Sequence, residues 1–144
     1  MAISDQQRAE KSAETMWASD DASKWFGMSL DKVGPGTATM SMTVQDCQTN
    51  GHDICHGGVI FALADSAFAF ACNSYNKVTV AQSNSITFAA PGKTGDRLVA
   101  DAREVVRSGR SGTWDVTVTN QDGAVIALFR GLARTISGTL FDEE

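Results

Sequence analysis

The chain has 144 residues, with 12 Lys+Arg against 17 Asp+Glu and a formal net charge of −5. That balance disfavours nucleic-acid binding and leaves any anionic ligand to a few placed cations or to backbone N–H groups. A hydrophobic fraction of 42% and a charged fraction of 20% exclude disorder and coiled coil, and residues 1–144 have the length of one domain that buries a core without a staple.

In chain order, residues 1–27 read as a helical arm. Ala9, Ala13, Met16 and Trp17 recur at helical spacing over Ser4–Ser19, an amphipathic helix docked by its last turn. Asp20 or Asp21 caps a second short helix ended by Gly27. Strands are expected over Met28–Val33 and Thr37–Val44, joined by Gly34-Pro35-Gly36, with Ala38, Met40, Met42 and Val44 on one face. Gln45–His56 is a polar loop. Gly57-Gly58 then opens Val59–Tyr75, apolar on every side, as a helix buried all round is. Strands follow over Lys77–Ala90, Arg97–Val106, Thr113–Thr119 and Val125–Ile136. The sum is an α+β architecture in which an antiparallel sheet of five or six strands wraps one apolar helix.

Three cysteines, Cys47, Cys55 and Cys72, form an odd set without a tight CxxC pair, so free thiols in a reducing compartment are expected. The N-terminal segment has neither an apolar signal region nor a transit-peptide composition. The longest apolar run, Val59–Cys72, reaches only about 21 Å as a helix, too short for a bilayer. A cytoplasmic protein with no membrane partner is the expectation.

The chemistry concentrates between Asn50 and Asp65. Asp65 is the only charge between His56 and Lys77, and a carboxylate within an apolar helix is costly without a partner or a task. It is either a structural aspartate bonded to a nearby hydroxyl or loop amide, or a nucleophile or general base. Gly57 and Gly58 either make a tight loop-to-helix turn or let a ligand reach unpaired N–H groups at the positive helix end, where an oxyanion would be stabilised. Eight residues of helix separate Gly57 from Asp65, about 12 Å. If both serve one reaction, the aspartate must come from a second subunit with an antiparallel helix. His52, Cys55 and His56 fit no standard zinc spacing, and no metal is expected. For His56 a structural role at the helix start outweighs direct catalysis. The Arg107–Gly112 loop reads either as a hairpin turn with solvated charges or as a phosphate grip.

Three runs carry a resemblance: NGHDICHGGVIFALADSAFAFACNS from Asn50, QSNSITFAAPGKTGDRLVADA from Gln82, and RSGRSGTWDVTVTNQDGAVIALFRG from Arg107. From about Ser29 to Gly138 the chain resembles the hotdog-fold acyl-CoA thioesterases, and within them the phenylacetate-pathway PaaI-type enzymes. The resemblance implies a long central helix wrapped by a curved antiparallel sheet. It also implies a thioester carbonyl polarised by the Gly57 N–H and a catalytic Asp65 donated across a dimer interface. Asn50 and His56 would shape the site. Coenzyme A would lie along Phe88–Lys93 and Arg107–Ser111, which include Phe88, Lys93, Arg107, Ser108, Gly109, Arg110 and Ser111. Some relatives place an arginine before the proline of the Pro-Gly turn, where this chain has Ala90-Pro91, so that phosphate contact is lost or moved to Lys93 or Arg110.

The expected function is hydrolysis of a small acyl-CoA, phenylacetyl-CoA or a ring-hydroxylated relative first, by a homo-oligomer that is at least a dimer and in the family usually a tetramer. No metal or redox cofactor is needed, and coenzyme A is part of the substrate. The alternatives are a hotdog dehydratase acting on hydroxyacyl thioesters, with His56 partnering Asp65, and a non-catalytic acyl-CoA binder.

Overall fold

A computed structural model describes residues 2–144. Helix α1 (Asp5–Ala18) starts at a capping box: Ser4 Oγ accepts from Gln7 N–H, and the Gln7 side chain accepts from Ser4 N–H. The helix docks along its middle rather than by its last turn, through buried Ala9, Ser12 and Ala13. These small side chains let the backbone approach closely, while Met16 and Trp17 stay half-buried at the rim. Asp20, not Asp21, caps α2 (Asp21–Trp25) by accepting from Ser23 N–H, and Gly27 ends the segment at φ +79°.

Strands β1 (Ser29–Gly34), β2 (Thr37–Thr43), β3 (Thr79–Phe88), β4 (Arg97–Ser108), β5 (Ser111–Thr119) and β6 (Val125–Thr135) form one antiparallel sheet in the order β1-β2-β4-β5-β6-β3. In β2 Ala38, Met40 and Met42 are buried as expected, as is Val44 just past its end, but Ser41 on the other face is buried as well, so the alternation is not strict. In β5 Trp114, Val116 and Val118 face the same core, and Trp114 Nε1–H donates to the Gly36 carbonyl at 3.1 Å. The β4–β5 hairpin is longer than expected, because Gly109 at φ +61° permits a two-residue turn between Ser108 and Ser111.

The sheet wraps helix α3 (Gly57–Cys72). It ends before Tyr75 because Asn73 diverts the chain: its Nδ2 donates to the Ala69 and Thr79 carbonyls and its Oδ1 accepts from Thr79 N–H. Its burial also corrects the sequence reading. Val59, Ile60, Leu63, Ala64, Ala67, Phe68, Phe70 and Ala71 are buried, but Gly58, Phe61, Ala62, Asp65 and Ala69 form a stripe that a single chain leaves partly open. That stripe runs beside β3, the last strand of the sheet, most of which is exposed. A six-stranded sheet encloses only part of the helix circumference, so helix stripe and strand edge stay open together.

Packing is tightest where β6 crosses α3. A Cβ on Gly131 would lie 2.6 Å from Phe68 Cζ, and Phe68 in turn packs on Trp114 and Phe129 with centroids 6.1 and 5.9 Å away. Gly131→Ala should therefore destabilise the protein by about 1–3 kcal/mol through overpacking. Urea unfolding would check this, and an unchanged midpoint would mean that the Phe68 ring can retreat.

Candidate active site

The loop before α3 is built to present the helix start. A short 3-10 turn (Asp46–Gln48) leads into a segment closed by Asn50 N–H donating to the Ile54 carbonyl, and Asn50 Oδ1 accepts from His52 N–H at 2.9 Å. Cys55 N–H donates to the Gly92 carbonyl at 2.7 Å, and His56 N–H to that of Gln48 at 2.8 Å, which ties loop and helix start to the Pro91-Gly92 turn.

His56 is the N-cap: its Nδ1 accepts from Gly58 N–H at 2.8 Å, which puts the ring proton on Nε2 when the ring is neutral. The Gly57 N–H has no acceptor among the described residues. It is the first donor of a 16-residue helix, at the positive end of the helix dipole. A Cβ there would lie 2.9 Å from Phe88 Cζ, the far end of a half-exposed ring that has room to swing aside. Gly57, Asn50, Ile60, Phe88 and Pro91 line a largely apolar cleft of ≈ 530 Å³. Asn50, His56, Gly57 and Phe88 are thus brought to one place.

Asp65 is not with them. It lies two turns further along α3, half-buried on the open stripe, where its Oδ1 accepts from Asn84 Nδ2–H on β3 at 2.9 Å. Burial pushes its carboxyl pKa upward, and the bond from Asn84 pulls it partly back. The partner is a strand side-chain amide rather than a hydroxyl or loop amide. Sequence reading missed Asn84, although an uninterrupted polar run, Gln82-Ser83-Asn84-Ser85, inside a strand is an available signal.

The two candidate nucleotide segments also lie apart. Phe88 pairs with Ala127 on β6 and Ser111 with Arg134, seven residues further along, about 23 Å away. Phe88 and Lys93 therefore sit at one end of the sheet, and Ser108, Gly109, Arg110 and Ser111 at the other. Arg107 is committed elsewhere: its Nε bonds Glu104 Oε1 at 2.8 Å and its guanidinium lies 3.6 Å from the centroid of the Tyr75 ring, whose hydroxyl donates to the same Glu104 oxygen. Arg110 makes no ion pair among the described residues. Arg134 lies beside it, with Nη1 3.3 Å from Ser111 Oγ, a cation the sequence reading did not single out.

Among the described residues no three His, Cys, Asp or Glu side chains gather as a metal site. All three cysteines are free, and burial pushes the thiols of Cys55 and Cys72 up to about 11 and about 12. Among the described residues no helix is long and apolar enough to cross a membrane.

An antiparallel sheet curled round one long helix, with an unpaired N–H at the helix start, defines the hotdog class, and the solved structures agree. The PaaI protein of Escherichia coli, from the phenylacetic acid degradation operon, superposes with a TM-score of 0.93 at 39% identity, covering 94% of this chain and 99% of that one. A Streptococcus mutans protein solved with acetyl CoA gives a TM-score of 0.74 at 28% identity, covering 78% of this chain and 90% of that one. The Thioesterase superfamily model matches residues 52–127. The acyl-coenzyme A thioesterase PaaI of Escherichia coli is 39% identical over 94% of this chain and 97% of its own length. This chain belongs to the thioesterase superfamily.

The raised Asp65 pKa carries a stability consequence. The folded chain keeps that proton to higher pH than the unfolded chain does. Below the ordinary carboxylate range both states are protonated and nothing is lost. As pH rises through the window between the unfolded and folded values, stability falls, and the full penalty stands above it. Asp65→Asn should melt higher than wild type at pH 7, with the gain shrinking as pH falls through that window. A melting-temperature difference independent of pH would contradict this.

Proposed function

We propose that this chain hydrolyses small acyl-CoA thioesters, aryl-acetyl ones first, to the free acid and coenzyme A. The observation that carries the reading is the pairing of an unsatisfied Gly57 N–H, at the mouth of an apolar cleft, with a half-buried carboxylate on the same helix. The likeness to an acyl-CoA thioesterase over almost the whole chain supports it.

In the proposed reaction the thioester carbonyl oxygen accepts from Gly57 N–H. Water adds to the carbonyl carbon as Asp65 takes its proton, and the negative charge forming on the oxygen is held at the helix end. The C–S bond then breaks, and the thiolate leaves with a proton returned from Asp65. In the covalent variant Asp65 attacks first and water cleaves the resulting anhydride; both routes use the same groups. Neither needs a metal or redox cofactor. Asn50 and His56 act by holding the helix start in place.

Gly57 and Asp65 of one chain are about 12 Å apart along α3, so the site is proposed to be shared. Two chains packed by their open stripes and β3 edges, with α3 antiparallel, bring the partner's carboxylate to this chain's Gly57. The same two-fold carries the partner's Arg110 turn towards the Phe88 end, which joins the two separated nucleotide segments. The outer sheet face, with exposed Leu128 and Leu132 beside the Asp115–Arg130 pair, offers a surface for joining two such dimers into a tetramer. Three free thiols, exposed Cys47 among them, fit a reducing cytoplasm. A dehydratase would need His56 as a second acid–base group beside Asp65, and the likeness to an acyl-CoA thioesterase over almost the whole chain favours hydrolysis instead. A mere binder would have no use for the cost of Asp65.

Release of CoA thiol from phenylacetyl-CoA tests the reading with two variants. Asp65→Asn removes the carboxylate. Gly57→Pro deletes the oxyanion donor at a helix position that tolerates proline, following a His56 already at ψ 133°. Each should lower kcat by about 10²–10³ or more. Mixed after unfolding and refolded together, the two should recover about a quarter of wild-type activity, since half the dimers are hybrid and each hybrid holds one intact site. Absence of recovery from two well-folded variants would rule out a shared site. Arg110→Ala should raise KM for the CoA thioester more than it lowers kcat, and the reverse pattern would take that turn out of the nucleotide site.

A further inference from the structure

Asn84 occupies an expensive position. It stands on β3 opposite Gly131 of β6, with its side chain turned to α3. Its Nδ2–H donates to Asp65 Oδ1 at 2.9 Å, while its own Oδ1 is buried and accepts nothing from the described residues. An apolar side chain of the same size would leave no orphaned acceptor, so packing alone gives no reason for an asparagine here. Ser66, the neighbouring polar residue of α3, is bonded to Ser23 and gives Asp65 no help.

We propose that Asn84 is the positioning residue of Asp65, holding Oδ1 so that Oδ2 alone is presented to the thioester or to the attacking water. The inference rests on the reading of Asp65 as the reacting carboxylate. A carboxylate without a partner rotates freely and offers either oxygen in many directions; one fixed bond selects a single orientation. The same bond favours the charged form, which a general base or nucleophile must hold before it reacts. Nothing else among the described residues does this work. No lysine, arginine or histidine of the described strands or helices packed on α3 shifts the Asp65 carboxyl, and burial acts against the charge. The one titratable group coupled to Asp65 is the Cys72 thiol further along α3, which burial pushes up to about 12 and so keeps neutral.

The test is Asn84→Leu, assayed for CoA release across pH alongside thermal melting. Expected are a kcat about 10- to 100-fold lower, a nearly unchanged KM, and a protein that still unfolds in one cooperative transition. The acid limb of kcat/KM, which reports the free enzyme's base, should move to higher pH because the bond that favours the charged carboxylate is gone. A wild-type kcat with an unmoved acid limb would overturn the proposal, as would a lost kcat accompanied by a lower melting temperature and an unmoved limb. A wild type that releases no CoA from any small acyl-CoA overturns the hydrolase reading itself, an outcome distinct from either.

Discussion

The rise of an α-helix sets the terms for this protein. Eight residues separate the free N–H at Gly57 from the carboxylate of Asp65, and at about 1.5 Å each no side-chain movement brings them to one small carbonyl. The burial pattern answers the same constraint. A helix with a strongly apolar sequence leaves one stripe uncovered, and that stripe holds Phe61, Ala62 and Asp65 rather than a band of lysines and glutamates. Beside it lies β3, hydrogen-bonded to β6 on one side only. An exposed strand edge invites pairing. In the proposed two-fold that edge and that stripe are covered by the same partner, so the contact that completes the fold also completes the site.

Much of this was legible in the residues, and the reason lies in which forces act locally. The turns at Gly36, Gly109 and Gly123 all have positive φ, a conformation that glycine announces in a sequence. Alternation in Thr37–Val44 and around Trp114 reports strands with a buried apolar face, and those apolar residues are buried as read, with Ser41 buried besides. Asp65 stands out because charge in an apolar helix is rare.

What escaped the sequence depends on contacts made across the fold. The end of α3 is set by Asn73 reaching Thr79, and neither residue is a helix breaker. Arg107 reads as a free cation until β4 lays it over Tyr75 and against Glu104, which leaves Arg110 and Arg134 as the unpaired cations of that turn. The polar run in β3 resembles a loop in composition. The strand expected over Lys77–Ala90 contains it, but only the fold shows that Asn84 of that run meets a carboxylate.

Asp65 and Asn84 together show why the site does not resemble well-built core. Each is individually unfavourable where it stands: the carboxylate has lost much of its solvation, and the amide oxygen has no donor among the described residues. Their single mutual bond offsets part of that cost and leaves one carboxylate oxygen uncommitted. Residues chosen for packing would have removed both polar groups, and the neighbouring Ala62 and Ala69 show that this stripe of the helix accepts small apolar side chains. Local rules that fail in two adjacent places, on two different elements, in a way that preserves a charge, point to chemistry rather than to an imperfect fold.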